Sequence, residues 1–324
     1  MSPLLATFLL RFAAASPLAP SPLTDDHYSE TYTAIIDLDD GTYAQLQLGI
    51  SNLGPGDSRG MCRALLVTPD RTAWTANLRG DSGTWSYTAT PEPTFATPSC
   101  RITERASSVD IDAELEGTRL HLHLATPLRA VRPPDGALNV PGERGGIYES
   151  DILVPWAEAT LDVTRAGQAD STRSGVGYLD HSRTTTLPDG IARGWLRFRA
   201  LRGECAQLLL LRWPPGDGAA HGWHWRRGMV APIALHLSNA RLPSAPPEQG
   251  GAAINLGSEQ ESFVMTPRFM LYRHAPVEEL GFVGRLIKAW FGNPTTRTYR
   301  AVYRGPSDPC GDVPGILEIT HVKE

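Results

Sequence analysis

The sequence lacks several features that identify common classes of protein. It contains no G-x-G-x-x-G after a strand pattern, no P-loop and no H-E-x-x-H, so neither nucleotide-dependent nor zincin chemistry has its usual motif. It has 30 basic and 35 acidic residues, a net charge of −5, and no basic stretch long enough to follow a phosphate backbone. Binding to nucleic acid is therefore not expected.

Long apolar runs are also missing. After the first twenty residues, no stretch approaches the roughly 20 apolar residues that a membrane-spanning helix requires. The amino terminus has an apolar stretch at residues 4–10 and a run of small residues at 13–16, but Arg11 interrupts it and it has no basic start. It resembles a weak secretion signal, an anchor or a disordered leader. We therefore expect a cytoplasmic or membrane-associated protein, with export as the alternative.

Cysteine is scarce. The four cysteines, Cys62, Cys100, Cys205 and Cys310, are too widely spaced for a CxxC metal knuckle or redox pair. A chain of 324 residues is large enough to fold without disulfides. We expect buried thiols, or at most one bridge.

Glycine and proline are abundant, and they predict an all-β fold. The chain has 31 Gly and 27 Pro, spread along its length, which favours many turns and short strands. Apolar and polar residues alternate in residues 43–50, after an acidic Gly turn at 39–41, which indicates a hairpin. Further strands are predicted at regular spacing, with residues 147–154 and 157–163 as separate strands. One helix is predicted at 277–291, and an exposed loop at 242–251.

These patterns predict two tandem all-β units. The boundaries are a leader at residues 1–24, a first domain at 25–190 and a second at 191–324. The predicted helix packs on a sheet or closes a barrel. Its side with Arg285 and Lys288 suggests contact with a membrane surface as an alternative.

Two motifs have simple structural interpretations. His121 and His123 share one strand face, but no third metal ligand lies nearby in sequence, which favours a hydrogen-bonded or solvated pair. Residues 56–60 match G-x-S-x-G by letter. They follow a loop and precede a strand, whereas a nucleophile elbow needs a strand, a turn and then a helix. A surface turn is the favoured interpretation.

Residues 175–181, Gly-Val-Gly-Tyr-Leu-Asp-His, carry the clearest chemical signal. On an extended chain Tyr178 and Asp180 project to one face, and Leu179 and His181 to the other. In a dry cavity the pKa of Asp180 would rise, so that it could act as a neutral proton donor beside the phenol. The alternative is that Asp180 and His181 merely stabilise a turn between the domains.

Together with residues 152–160, this segment resembles the junction motif of the carotenoid 1,2-hydratase (hydroxyneurosporene synthase) family. That family is similar to fungal decalin-forming Diels-Alderases and to survival-factor-like lipid-binding proteins. The resemblance implies two lipocalin-like β-barrel domains, a hydrophobic ligand in or between them, and no cofactor or metal. It places catalytic roles on Tyr178, Asp180 and His181. The family continues Asp-His-Asn-Trp-Gly, whereas Ser182 and Arg183 follow here.

Hydration of a polyene would need a proton donor, for which Asp180 is the candidate, and aromatic walls to stabilise a carbocation. The candidate substrate-binding residues are Trp156, Trp195, Trp223, Trp225, Arg183 and Glu149. Trp223 and Trp225 could instead be aromatic core or pack at the rim of a barrel. For Arg183, we favour an ion pair with Glu149 or Asp151 over a role in binding.

We therefore expect a lyase or cyclase, without a cofactor, that acts on a polyene or isoprenoid. The alternatives are a pericyclase acting on a polyketide-type polyene and a lipid carrier without catalysis. Neither the ligand nor the oligomeric state follows from the sequence.

Overall fold

A computed structural model describes residues 16–53, 56–140, 145–215, 218–226, 228–237, 253–257, 262–276, 294–305 and 310–322. Within these residues the fold is almost entirely strand, with two sheets that form barrel-like units. The predicted all-β class is thus confirmed. The helix predicted at 277–291 and the loop predicted at 242–251 lie outside the described residues.

The first sheet has twelve strands in the order β4-β3-β2-β1-β12-β11-β9-β8-β7-β6-β5, and β10 pairs with β11. These strands are β1 (Ser29–Leu38), β2 (Tyr43–Ser51), β3 (Arg59–Val67), β4 (Ala73–Ser82), β5 (Ser86–Thr88), β6 (Thr94–Thr97), β7 (Cys100–Glu104), β8 (Val109–Leu115), β9 (Thr118–Leu124), β10 (Ala137–Asn139), β11 (Ile147–Arg165) and β12 (Ser171–Thr184).

The second sheet closes into a barrel in chain order, with its first and last strands paired. A helix of four residues, α1 (Pro188–Ile191), precedes it. The barrel strands are β13 (Gly194–Ala200), β14 (Gln207–Trp213), β15 (Ala220–Arg226), β16 (Met229–Leu237), β17 (Ile254–Gly257), β18 (Ser262–His274), β19 (Thr295–Arg304) and β20 (Val313–His321).

The predicted hairpin is present as β1 and β2, and its turn includes Gly41 at a φ of +87°. Alternation along β1 separates the two faces of the sheet. Tyr32, Ala34 and Ile36 lie in the core of the first sheet. Ile35 lies in a different apolar cluster, which packs between the two sheets. We call this region between the sheets the seam.

Strand β11 corrects the prediction of two separate strands. It runs from Ile147 to Arg165 without a break, but its pairing with β12 shifts register between Ile152 and Val154 and again between Val154 and Ala157. Pro155 lies in this stretch and has no N–H to donate to the ladder, which suits an irregular segment. The apparent gap in the pattern is thus a bulge.

The cysteines form two disulfides, Cys62–Cys100 and Cys205–Cys310, so the expectation of thiols or a single bridge is wrong. Cys62 lies on β3 and Cys100 on β7, which are not neighbours in the sheet order. Both lie in the core of the first sheet, because the sheet curls and brings these strands face to face. The sequence separation alone gave no sign of this approach.

The described part of the predicted leader, residues 16–24, packs against the first sheet. Leu18 is fully buried in its core. The Ser16 hydroxyl donates a hydrogen bond to Glu104 (2.5 Å), and the Ser21 amide donates one to Glu30 (3.0 Å). No helix in the described part of the chain has both the length and the apolar character needed to span a bilayer.

Candidate active site in the seam

Two polar rows face each other across the seam. On the first sheet, Arg63, Gln47, Thr33 and Asp180 are direct partners across β3, β2, β1 and β12. Directly opposed residues on adjacent strands project from the same face of a sheet. These four side chains therefore form one row, which we call the sheet row.

The barrel contributes a second row, which we call the barrel row. It crosses strands β15, β14, β13, β20, β19 and β18 through residues that are again direct ladder partners. Its members are Trp223, Leu210, Arg197, Glu318, Thr298 and Tyr272.

A cavity of about 320 Å³ lies between the rows and is lined by every member of both. We call it the seam cavity. Its lining is largely polar, with four arginines (Arg63, Arg197, Arg199 and Arg212) among its residues. The sequence predicted a dry, apolar cavity for a hydrophobic ligand. The difference arises because the Tyr178 and Asp180 face points towards the other barrel and not into the apolar core of its own sheet.

Asp180 lies at the wall of this cavity, with 17% of its side chain exposed. Burial raises the pKa of its carboxyl group, whereas Arg199 and Arg197 act to lower it; the net shift is upward. An upward shift favours the neutral, proton-bearing form at a higher pH than is usual for an aspartate. A carboxyl group that holds its proton to a higher pH is the kind of group that general acid catalysis uses.

Arg199 links Asp180 to the barrel. Its guanidinium lies 3.8 Å from the Asp180 carboxylate and forms an ion pair with Glu318. Only 1% of the Arg199 side chain and 6% of the Glu318 side chain are exposed. The same guanidinium lies 4.6 Å from the centre of the Tyr178 ring. The first sheet and the barrel thus meet in one buried cluster of charged and aromatic groups.

Tyr178 is fully buried in the seam. Burial raises the pKa of its phenol well above the usual value, and the adjacent Asp180 carboxyl group adds to the shift. The phenol therefore keeps its proton throughout the physiological pH range.

The four candidate tryptophans divide into two groups. Trp195 and Trp223 line the seam cavity, as does His221. Trp156 and Trp225 pack against each other in the seam, with their ring centres 5.8 Å apart. The structure therefore places two of the four at the surface of the cavity.

His181, Arg183 and Glu149 lie apart from the seam cavity and line a second recess of about 180 Å³. The His181 ring forms a 2.8 Å hydrogen bond with Glu30 and stacks on Tyr32, with the ring centres 4.4 Å apart. Arg183 donates a 3.0 Å hydrogen bond to Glu149, which is the ion pair favoured from the sequence. The structure does not bring these three residues together with Asp180.

Sequence reasoning missed Arg63, Gln47, Arg199 and Glu318. A signal for Arg199 was available, because Arg197 and Arg199 alternate with apolar residues in β13 and must share its other face. Glu318 is a lone carboxylate in a strand that is otherwise mostly apolar. No local pattern indicated that these residues would meet Asp180.

The histidine pair and the G-x-S-x-G segment, for which the sequence favoured structural interpretations, have structural roles. His121 and His123 form hydrogen bonds with Asp112 (2.8 Å) and Asp110 (2.7 Å). No metal-binding group of three ligands occurs among the residues that the structure describes. Ser58 follows β2 and accepts a 2.8 Å hydrogen bond from the Trp85 indole.

Solved structures with the same fold include two from named organisms. An AttH protein from Nitrosomonas europaea superposes with a TM-score of 0.60 at 14% identity, covering 96% of this chain and 99% of that one. Kievitone hydratase from Nectria haematococca superposes with a TM-score of 0.57 at 11% identity, covering 92% of this chain and 90% of that one.

A third structure, CghA bound to Sch210972, has a TM-score of 0.56 at 12% identity and covers 92% of this chain and 89% of that one. No protein-family model matches the sequence, and no curated protein matches it. The chain therefore shares the fold of these three proteins over almost its whole length.

Proposed function

We propose that this protein is a lyase of the hydratase type, which adds water to an unsaturated small molecule, or removes it, in the seam cavity. The observation that carries the proposal is Asp180, a carboxyl group with a raised pKa at the wall of a cavity large enough for a small substrate. The shared fold with a hydratase supports it.

In the hydration direction, neutral Asp180 gives its proton to one carbon of a double bond. A C–H bond forms as the O–H bond breaks, and positive charge develops on the other carbon. The oxygen of a water molecule then bonds to that carbon, and the proton that it loses returns to the Asp180 carboxylate. Atoms and charge balance over the cycle, and dehydration is the same path in reverse.

The neighbours of Asp180 have complementary roles in this cycle. Arg199 stabilises the carboxylate that forms when the proton leaves, since its guanidinium lies 3.8 Å away. Glu318 forms an ion pair with the same guanidinium and so limits the positive charge near a developing carbocation. The indole of Trp223 at the cavity surface offers a π face to that cation.

A labelling experiment with the Asp180→Asn variant tests the proposal. Solvent-extracted metabolites of the source organism are incubated with the purified protein in D₂O and, separately, in H₂¹⁸O, and products are detected by mass spectrometry. If the protein adds water, the wild type should yield a product that carries deuterium on carbon in D₂O and ¹⁸O in a hydroxyl group in H₂¹⁸O. If it removes water, the product should be lighter than its substrate by one water. Asp180→Asn should reduce the rate by about 10²- to 10⁴-fold, the usual contribution of a general acid.

Asp162→Asn is the matched control. Asp162 is also on a strand of the first sheet, but it accepts a hydrogen bond from Thr172 and does not line the seam cavity. The Asp162→Asn variant should therefore react at the wild-type rate. Full turnover by Asp180→Asn would contradict the proposal. An unlabelled product that is an isomer of its substrate would indicate a cyclase, and a metabolite recovered bound but unchanged would indicate a carrier.

A further inference from the structure

The seam cavity is lined by more arginines than carboxylates, so that not every arginine can form an ion pair with a lining carboxylate. Arg199 is matched by Glu318 and Asp180. Arg63, Arg197 and Arg212 form no ion pair with any described residue. Arg212 donates one hydrogen bond, to the Ile191 carbonyl at 3.1 Å. The remaining lining carboxylate, Asp135, is exposed to solvent.

Several nitrogen atoms of lining side chains are buried without a hydrogen-bond partner among the described residues. They are Nε and Nη2 of Arg63, Nε of Arg199 and Nε1 of Trp195. Each of these atoms carries hydrogen and can only donate a hydrogen bond. Buried donors are normally satisfied, and a hydrocarbon ligand has no atom that could accept from them. A ligand with several oxygen atoms could accept hydrogen bonds from these donors.

Arg63 and Asp180 stand at opposite ends of the sheet row, with Gln47 and Thr33 between them. Adjacent strands are about 4.8 Å apart, so the Cα atoms of Arg63 and Asp180 are separated by three spacings, or about 14 Å. Both intervening side chains are uncharged and can form hydrogen bonds. One small molecule lying along the row can therefore reach both ends.

We propose that Arg63 binds an anionic oxygen group of the substrate, such as a carboxylate or an enolate, while the double bond that reacts lies at Asp180. The substrate is then an amphipathic organic acid and not a hydrocarbon polyene. The position of the reacting bond rests on the proposed function, whereas the anion site at Arg63 does not. Arg63 suits this role because a planar guanidinium binds a carboxylate through two parallel hydrogen bonds.

Titration calorimetry with matched acids and alcohols tests the anion site. The probes are benzoate, cinnamate and farnesoate, each compared with the alcohol in which CH₂OH replaces the carboxylate. We expect at least one acid to bind wild-type protein ten-fold or more tightly than its alcohol. Arg63→Gln should abolish this preference, and Arg63→Lys, which retains the charge but not the planar fork, should retain part of it.

Arg129→Gln is the control, because Arg129 is exposed and does not line the seam cavity; it should keep the full preference. The proposal is overturned if no acid binds better than its alcohol to the wild type, which needs no variant to fold. It is also overturned if Arg63→Gln keeps the preference.

The two proposals fail in different ways. If the protein does not catalyse, acids still bind in an Arg63-dependent manner, and the labelled product of the metabolite experiment is missing. If the anion site is wrong, Arg63→Gln still forms the labelled product at the wild-type rate. Asp180→Asn should retain acid binding, because Asp180 lies at the other end of the row.

Discussion

At the scale of single residues, two neighbouring acidic groups in the seam pair differently with the same arginine. Asp180 and Glu318 both approach Arg199, but Glu318 forms the closer ion pair. Burial outweighs the arginines at Asp180 and raises its pKa. A raised pKa keeps a proton on the Asp180 carboxyl group to a higher pH than is usual for an aspartate.

At Glu30, hydrogen bonds outweigh burial, and this makes the stability of the protein depend on pH. Burial acts to raise its pKa, but hydrogen bonds from His181 and Tyr28 outweigh burial and hold the pKa below its usual value. For a lowered pKa, the stabilisation is complete above the unfolded value of about 4.3 and is lost as pH falls through the folded pKa. Glu30→Gln should lower the free energy of unfolding by about 1.5–3 kcal/mol at pH 7.

Urea denaturation of both proteins between pH 7 and pH 3 measures this difference, which should shrink as the pH falls. Glu114→Gln is the control, because 68% of the Glu114 side chain is exposed and it should change stability little at any pH. A difference that stays constant with pH would show that the charge of Glu30 is not the cause.

At the scale of elements, β12 shows why residues 175–181 contain glycine. A Cβ atom built on Gly175 would lie 2.4 Å from the Asp37 carbonyl oxygen and 2.7 Å from the Leu38 Cα. One built on Gly177 would lie 2.4 Å from Leu124 Cδ2. The glycines therefore allow β12 to approach its neighbours closely, which positions Tyr178 and Asp180 on the seam.

Gly175→Ala should destabilise the protein by about 1–3 kcal/mol, because backbone must shift to make room for the methyl group. The free energy of unfolding in urea gives the measurement. Gly218→Ala is the matched control, since a Cβ there would meet no atom within 4 Å. Equal stability of the two variants would contradict the close approach of β12 and β1.

At the scale of the whole molecule, the disulfides close long loops of chain. Cys62–Cys100 spans 38 residues and Cys205–Cys310 spans 105. A cross-link stabilises mainly by restricting the unfolded chain, and more so for longer loops. The Cys205→Ser/Cys310→Ser double variant should therefore lose about 2–5 kcal/mol.

Denaturant midpoints of the wild type and the double variant, each with and without dithiothreitol, check this. Reduction should lower the wild-type midpoint and bring the two proteins closer together. A midpoint of the oxidised wild type equal to that of the double variant would contradict a stabilising role for the long bridge.

The local elements of this protein follow from its sequence, because alternation of apolar and polar residues depends only on neighbours along the chain. It predicted the β1–β2 hairpin, and it placed Tyr178 and Asp180 on one strand face. It missed the unbroken β11, because Pro155 looks the same in a bulge as in a gap between strands.

The groups that meet across the seam are set by the packing of the two sheets. Arg63, Asp180 and Glu318 lie on three strands of two sheets and are separated by more than a hundred residues each. Their approach follows from strand order, sheet curl and the packing of one barrel on the other. The same packing made the cavity polar, because it turned the Asp180 face towards the arginines of β13 and away from an apolar core. Such contacts depend on the whole fold, and no short pattern in the chain encodes them.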